Sequence, residues 1–210
     1  MITSFTTDTQ RAVETDRPAS IQESGPYTGV FRQVYTYETK NHAQMVSFNF
    51  QDQTSGLVCW IDLCISNTNG EPTFGYNVLN AILLCAGLER VDAVPGKART
   101  RRGEIIEAPR LKALEGRPVG LALQKEIDCY QDRTTGEMRD TFRMQIAKPF
   151  KAATGQTASE IVKGEEPKAL EAFLKTLKDR DVRGKRLAAA AAPTGSAPHP
   201  ADEQDDGIPF

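Results

Sequence analysis

Residues 44–66 read QMVSFNFQDQTSGLVCWIDLCIS, and apolar side chains recur there at every second position. The apolar face of the first half carries Val46, Phe48 and Phe50. The apolar face of the second half carries Leu57, Cys59, Ile61, Leu63 and Ile65. This period of two, together with the β-branched and aromatic residues, predicts two strands at 44–52 and 56–66, joined by a short turn.

The flanking segments extend this pair into a larger β fold. Residues 27–38 alternate in the same way, and residues 118–130 and 138–148 form a second predicted hairpin around a turn at 132–136. Between these regions, residues 76–88 carry apolar residues at spacings of three and four, which predicts a helix. This order predicts a mainly β fold: an OB-fold-like five-stranded Greek-key barrel with a helix between strands 3 and 4. A five-stranded sheet capped by a helix has the same element order and remains an alternative.

Composition divides the chain into five parts. Residues 1–25 are polar and are predicted to form a flexible N-terminal arm, while the OB-fold-like domain covers 26–150. Residues 151–186 form a predicted helical extension, in which Thr157 and Glu160 have the spacing of a capping box. Apolar spacing at 167–178 predicts an amphipathic helix that packs on the barrel or on a partner. Residues 187–201 are a predicted disordered linker, and 202–210 an acidic interaction tip.

Charge and cysteine content narrow the class of protein. The net charge is −2, and without the four acidic residues of segment 202–210 it would be +2, so an acidic tail follows a slightly basic body. The four cysteines lack paired spacing, which predicts buried thiols in a reducing compartment. No apolar run approaches the roughly 18 residues of a membrane span, and no secretory signal is visible at the N-terminus. We therefore expect a soluble, cytoplasmic protein with no membrane contact.

Catalytic motifs are largely missing from the sequence. It has no phosphate-binding glycine loop, no His-Glu-x-x-His motif and two histidines, so we expect no catalytic residue, no cofactor and no bound metal. One segment leaves an alternative open. Glu38-Thr39-Lys40 matches the Glu-x-Lys half of many Mg²⁺-dependent nuclease cores, in which the carboxylate holds the metal and the lysine polarises the attacking water.

The strand faces opposite the predicted core carry aromatic and basic residues. Such residues suit single-stranded nucleic acid, because aromatic rings stack on bases and cations neutralise phosphates. The predicted aromatic contacts are Phe31, Tyr35, Tyr37 and Trp60. The predicted basic contacts are Lys40, Lys97, Arg99, Arg101, Arg102, Arg133, Arg139 and Arg143.

The C-terminus supplies a more specific signal. Asp205-Asp206-Gly207-Ile208-Pro209-Phe210, after an acidic linker, resembles the tip of bacterial single-stranded DNA-binding proteins, although Gly207 replaces one residue of the usual aspartate run. The resemblance implies that Phe210 and its carboxylate enter a basic, apolar pocket on host replication, recombination or repair enzymes. It also implies that Ile208 and Pro209 assist this contact, while Asp205 and Asp206 steer the tip toward basic rims.

In the body, the order of the predicted elements is joined by Gly87-Leu88 after the predicted helix and by Leu114-Glu115-Gly116-Arg117-Pro118-Val119 before strand 4. In these features the body is more similar to phage-encoded single-stranded DNA-binding proteins, which pair a divergent OB-fold with a host-like tail. We therefore predict a non-catalytic protein of a phage replication or recombination system that coats single-stranded DNA and recruits host enzymes through its tip. A homo-oligomer is compatible with this prediction. The first alternative is an OB-like adaptor for a recombinase or annealing protein, and the second is the Mg²⁺-dependent nuclease centred on Glu38 and Lys40.

Overall fold

A computed structural model describes residues 19–132 and 134–184 of the chain. Three long strands come first: β1 (Gly25–Glu38), β2 (Gln44–Asp52) and β3 (Val58–Ser66). They are followed by helix α1 (Phe74–Cys85), two short strands, β4 (Lys97–Arg99) and β5 (Ile105–Glu107), and a 3₁₀ turn (Lys112–Leu114). Strands β6 (Pro118–Gln131) and β7 (Met138–Phe150) come next, then helices α2 (Ala158–Lys163) and α3 (Ala169–Leu174) and strand β8 (Arg180–Asp181).

The five long strands form one antiparallel sheet in the order β3-β2-β1-β6-β7. The two-residue strand β8 adds to β6 in parallel, and β4 and β5 form a separate two-stranded hairpin. Strands β3 and β7 lie at opposite edges of the sheet, so the sheet is not closed by hydrogen bonds. Helix α1 packs against both of these edge strands. The prediction of a mainly β fold is confirmed, while the predicted closed barrel is observed as an open sheet.

Aromatic side chains form the centre of the core. The ring of Phe31 lies 5.0 Å from that of Phe48 and 5.7 Å from that of Phe50, measured between centroids, and all three are fully buried. Helix α1 contributes the buried face that its apolar spacing predicted, including Val78 and Ile82. Burying this apolar surface is the main force that holds the helix on the sheet.

A β-bulge in β1 changes which residues face the core. Phe31 pairs with Phe50 and Gln33 pairs with Asn49, so Arg32 is an extra residue in the register. The extra residue reverses the alternation, and therefore Phe31 and Val34 both point inward. The prediction that Phe31 contacts nucleic acid is wrong, because the bulge places this side chain inside the core.

The N-terminal boundary of the fold lies before the predicted one. The backbone of residues 19–21 pairs with β3 through Ile21 N–H to Val58 O at 2.9 Å, and Ile21 is 1% exposed within the core. The end of the predicted flexible arm is therefore part of the folded domain. The rest of the arm, the predicted linker and the acidic tip, including Asp205, Asp206, Ile208, Pro209 and Phe210, lie outside the described residues.

The helical extension is shorter than predicted but begins with the predicted cap. Thr157 and Glu160 form a capping box at the start of α2. The Glu160 carboxylate also accepts hydrogen bonds from the backbone amides of Lys168 and Ala169, at 2.7 Å each, and so caps α3 as well. These backbone hydrogen bonds, with that from Thr157, lower the pKa of buried Glu160 to about 2. One carboxylate thus joins the two helices.

Two further observations concern the cysteines and membrane contact. All four cysteines are free thiols; Cys59, Cys85 and Cys129 are buried, and Cys64 is half-buried. Burial raises the pKa of Cys59 to about 12 and that of Cys85 to about 11, so both stay protonated near neutral pH. Among residues 19–132 and 134–184, no helix has the length and apolar character needed to cross a bilayer.

Candidate nucleic-acid interface

The outer face of β1, β2 and β3 contains three rows of side chains that cross the sheet. Directly opposite pairs define each row, because β1 pairs with β2 and β2 with β3 in continuous register here. The rows are Gln33–Asn49–Trp60, Tyr35–Ser47–Asp62 and Tyr37–Met45–Cys64. The structure therefore brings together three of the four aromatic residues that the sequence predicted, namely Tyr35, Tyr37 and Trp60.

The hairpin of β4 and β5 covers part of this outer face. Ala98 and Ala108 are buried against Tyr35, and Tyr37 and Trp60 are partly buried at the margin of the same cluster. Tyr35 is only 6% exposed, so it supports the hairpin and is not open to a stacking base, which corrects its predicted role. Tyr37 and Trp60 keep exposed surface beside the hairpin.

Polar groups fix the position of the hairpin on β1. The Gln33 side chain donates a hydrogen bond to the backbone carbonyl of Arg99 at 2.8 Å and accepts one from the backbone amide of Arg99 at 2.9 Å. The side-chain amide of Gln33 thus pairs with β4 in the way that the backbone of a neighbouring strand would. At the base of the hairpin, the Arg110 guanidinium forms two hydrogen bonds with the Glu115 carboxylate, at 3.0 and 2.6 Å. Glu115 also accepts from the amide of Val34 at 3.0 Å. These bonds hold the hairpin to the bulged segment of β1.

Basic side chains are concentrated at the end of this hairpin. Its loop spans residues 100–104 and turns at Gly103, which has a φ of 89° that suits glycine. Arg99, Arg101 and Arg102 are exposed and form no ion pair within the part of the chain that the structure describes. Lys97 is also exposed and lies 3.8 Å from Glu107. We call these four residues the basic hairpin.

An acidic residue lies next to the basic hairpin. Desolvation raises the pKa of the Asp62 carboxyl, although its side chain keeps exposed surface, and the Ser47 hydroxyl and the Arg101 charge oppose this shift. Burial also raises the pKa of Tyr35, which interacts with the same Ser47 hydroxyl. The face therefore combines cations, aromatic surface and hydrogen-bond acceptors.

The hairpin of β6 and β7 carries the other predicted arginines. Arg139 lies 3.1 Å from Asp132, and Arg143 lies 2.5 Å from Glu126, whose side chain is 3% exposed. β6 pairs with residues 25–30 of β1, whereas Tyr35 and Tyr37 lie on the other half of β1. Because both arginines are ion-paired and belong to another hairpin, we leave them out of the candidate interface. Arg133 lies outside the described residues.

The Glu-x-Lys segment ends β1 at its turn to β2. The Glu38 carboxylate lies 2.5 Å from the His42 ring and accepts a hydrogen bond from the Gln44 side chain at 2.8 Å. Both contacts lower the pKa of Glu38, and the contact with His42 has the larger effect. Lys40 is exposed in the turn. No group of three or more metal-ligating side chains occurs among the residues with described positions, so the nuclease alternative gains no support from this segment.

Four polar residues of the interface were missed by sequence reasoning: Gln33, Ser47, Asn49 and Asp62. They occupy the same alternating positions as Tyr35 and Trp60, so the period of two places them on the same face, but only aromatic and basic residues were predicted as nucleic-acid contacts. A scan against protein-family models found no match for the chain, and no curated protein matches it.

Proposed function

We propose that this protein binds single-stranded DNA on the outer face of β1–β3, between the basic hairpin and the exposed surface of Trp60. The main support for this proposal is the position of the β4–β5 hairpin, which Gln33 fixes beside Tyr37 and Trp60. Exposed arginines without ion pairs can neutralise phosphates, and a neighbouring indole can stack on a base.

The topology and the C-terminal sequence support the same proposal. β6 returns to lie beside β1, which gives the order β6-β1-β2-β3. This order supports our proposal that the sheet is a Greek key of the OB type. The sequence of the tip resembles that of proteins that bring repair and replication enzymes to coated DNA. We propose that the folded domain binds DNA while Phe210 docks on such enzymes, as in a phage replication or recombination system.

Fluorescence anisotropy with labelled oligonucleotides tests the binding activity. The full-length protein should bind a dT oligonucleotide at low salt, bind a duplex of equal length more weakly, and lose affinity as salt rises. Replacing Trp60 with Ala should weaken binding to the single strand, since base stacking contributes about 1–3 kcal/mol per base. The absence of binding at low salt would reject the proposal.

A protein-binding adaptor remains the second candidate, because the β6–β7 hairpin has a surface of paired opposite charges. Arg139 with Asp132 and Asp140 with Arg183 form a mixed surface of the kind that also occurs at protein interfaces. Charge removal at the basic hairpin distinguishes the two functions. It should reduce DNA binding under the first and leave recombinase or annealing-partner binding unchanged under the second.

A further inference from the structure

Asp62 is an acidic residue on a face that otherwise suits an anion. Its side chain is exposed, it belongs to the outer row of β3, and Arg101 is close enough to affect its pKa. Among the described residues it nevertheless forms no ion pair within 4 Å. A carboxylate at this position repels a phosphate, so it requires another partner if DNA lies here.

The neighbours of Asp62 are a ring and two further polar groups. Trp60 precedes it by two residues on the same face of β3, a spacing of about 6–7 Å. Ser47 lies directly opposite Asp62, and Asn49 directly opposite Trp60. The side-chain oxygen of Asn49 is buried and has no hydrogen-bond partner among the residues that the structure describes.

From this arrangement we infer that Trp60 and Asp62 form a nucleobase subsite that prefers guanine to thymine. This inference rests on the proposed function. A base stacked on Trp60 would present its edge toward acceptor oxygens. Guanine offers two adjacent donors, N1–H and the exocyclic N2 amine, which match the two oxygens of a carboxylate, whereas thymine offers one N–H between two carbonyls.

Competition binding with three oligonucleotides tests the subsite. Each is a dT oligonucleotide of the same length, with dT, dG or deoxyinosine at one central position. The full-length protein should bind the dG oligonucleotide about tenfold more tightly than the dT oligonucleotide, because a bidentate contact contributes discrimination of that order. Deoxyinosine lacks the N2 amine and should fall between them.

Two variants identify the residue responsible. Asp62→Asn should bring the dG-to-dT affinity ratio close to one while binding to the dT oligonucleotide is kept or strengthened. Asp92→Asn, the same change at an exposed residue paired with Arg90, should keep the wild-type ratio. Thermal unfolding should confirm that both variants fold.

The outcomes separate this inference from the function on which it rests. If Asp62→Asn strengthens binding to all three oligonucleotides equally, Asp62 is a repulsive charge and the subsite is refuted. Equal affinity of the wild-type protein for all three would also refute it, while DNA binding itself would stand. Binding of none of them would overturn both the subsite and the proposed function.

Discussion

Replacing Arg99, Arg101 and Arg102 together with Gln removes three exposed guanidinium groups from the basic hairpin. The backbone bonds between Gln33 and Arg99 do not involve the guanidinium, so the hairpin should stay in place. Each phosphate contact on a single strand contributes about 0.7 to the slope of log K against log salt. Three lost contacts should make the slope shallower by about 2 and weaken binding about 100-fold at 0.1 M salt.

The assay is anisotropy with a dT oligonucleotide at several salt concentrations, and it needs a control of equal charge. Lys151, Lys163 and Lys175 are exposed lysines outside the sheet, and their joint replacement with Gln changes the net charge by the same amount. This control should keep a slope near that of the wild type. Equal slopes for the wild-type protein and the hairpin variant would refute the assignment of phosphate binding to the hairpin.

Three further predictions concern stability and the tip. Phe31→Ala should destabilise the fold by about 3–5 kcal/mol in chemical denaturation, because it empties a site between Phe48 and Phe50; a loss below about 1 kcal/mol would contradict the core assignment. The lowered pKa of Glu160 stabilises the fold fully above about pH 4.5, and this contribution is lost as the pH falls toward 2. Thermal melts should therefore show that Glu160→Gln lowers Tm at pH 7 and changes it little at pH 2. An equal loss of Tm at both pH values would show that the negative charge of Glu160 does not stabilise the fold. Deleting residues 208–210 should abolish pull-down of host repair enzymes and leave DNA affinity equal or higher, and weaker DNA binding would contradict the separation of the two roles.

The strands that could be predicted from the sequence are those long enough to show a period. β2 matches its predicted bounds, and β1 and β3 differ from theirs by two residues. The change of period after residue 66 located α1, and the spacing of Thr157 and Glu160 located α2. In each case the local pattern and the tertiary packing require the same structure, so the pattern was sufficient.

The errors have identifiable physical causes. A single bulge at Arg32 reverses the alternation of β1, and a strict period of two cannot show where such an extra residue falls. β4, β5 and β8 have two or three residues each, too few to display alternation. Gly103 followed by Ile105 and Ile106 did offer a turn-and-strand signal inside the long connection. Burial of Tyr35 by this hairpin is a contact between distant segments, which no local pattern reports.

Intrinsic fluorescence reports on the proposed DNA face itself, because Trp60 is the only tryptophan of the chain and lies on that face. Titration of the full-length protein with a dT oligonucleotide at low salt should quench the emission, and the quenching should saturate together with anisotropy and reverse on addition of salt. A duplex of equal length should quench it less. Tight binding with unchanged Trp60 emission would place the DNA elsewhere on the protein and rule out binding on the outer face of β1–β3.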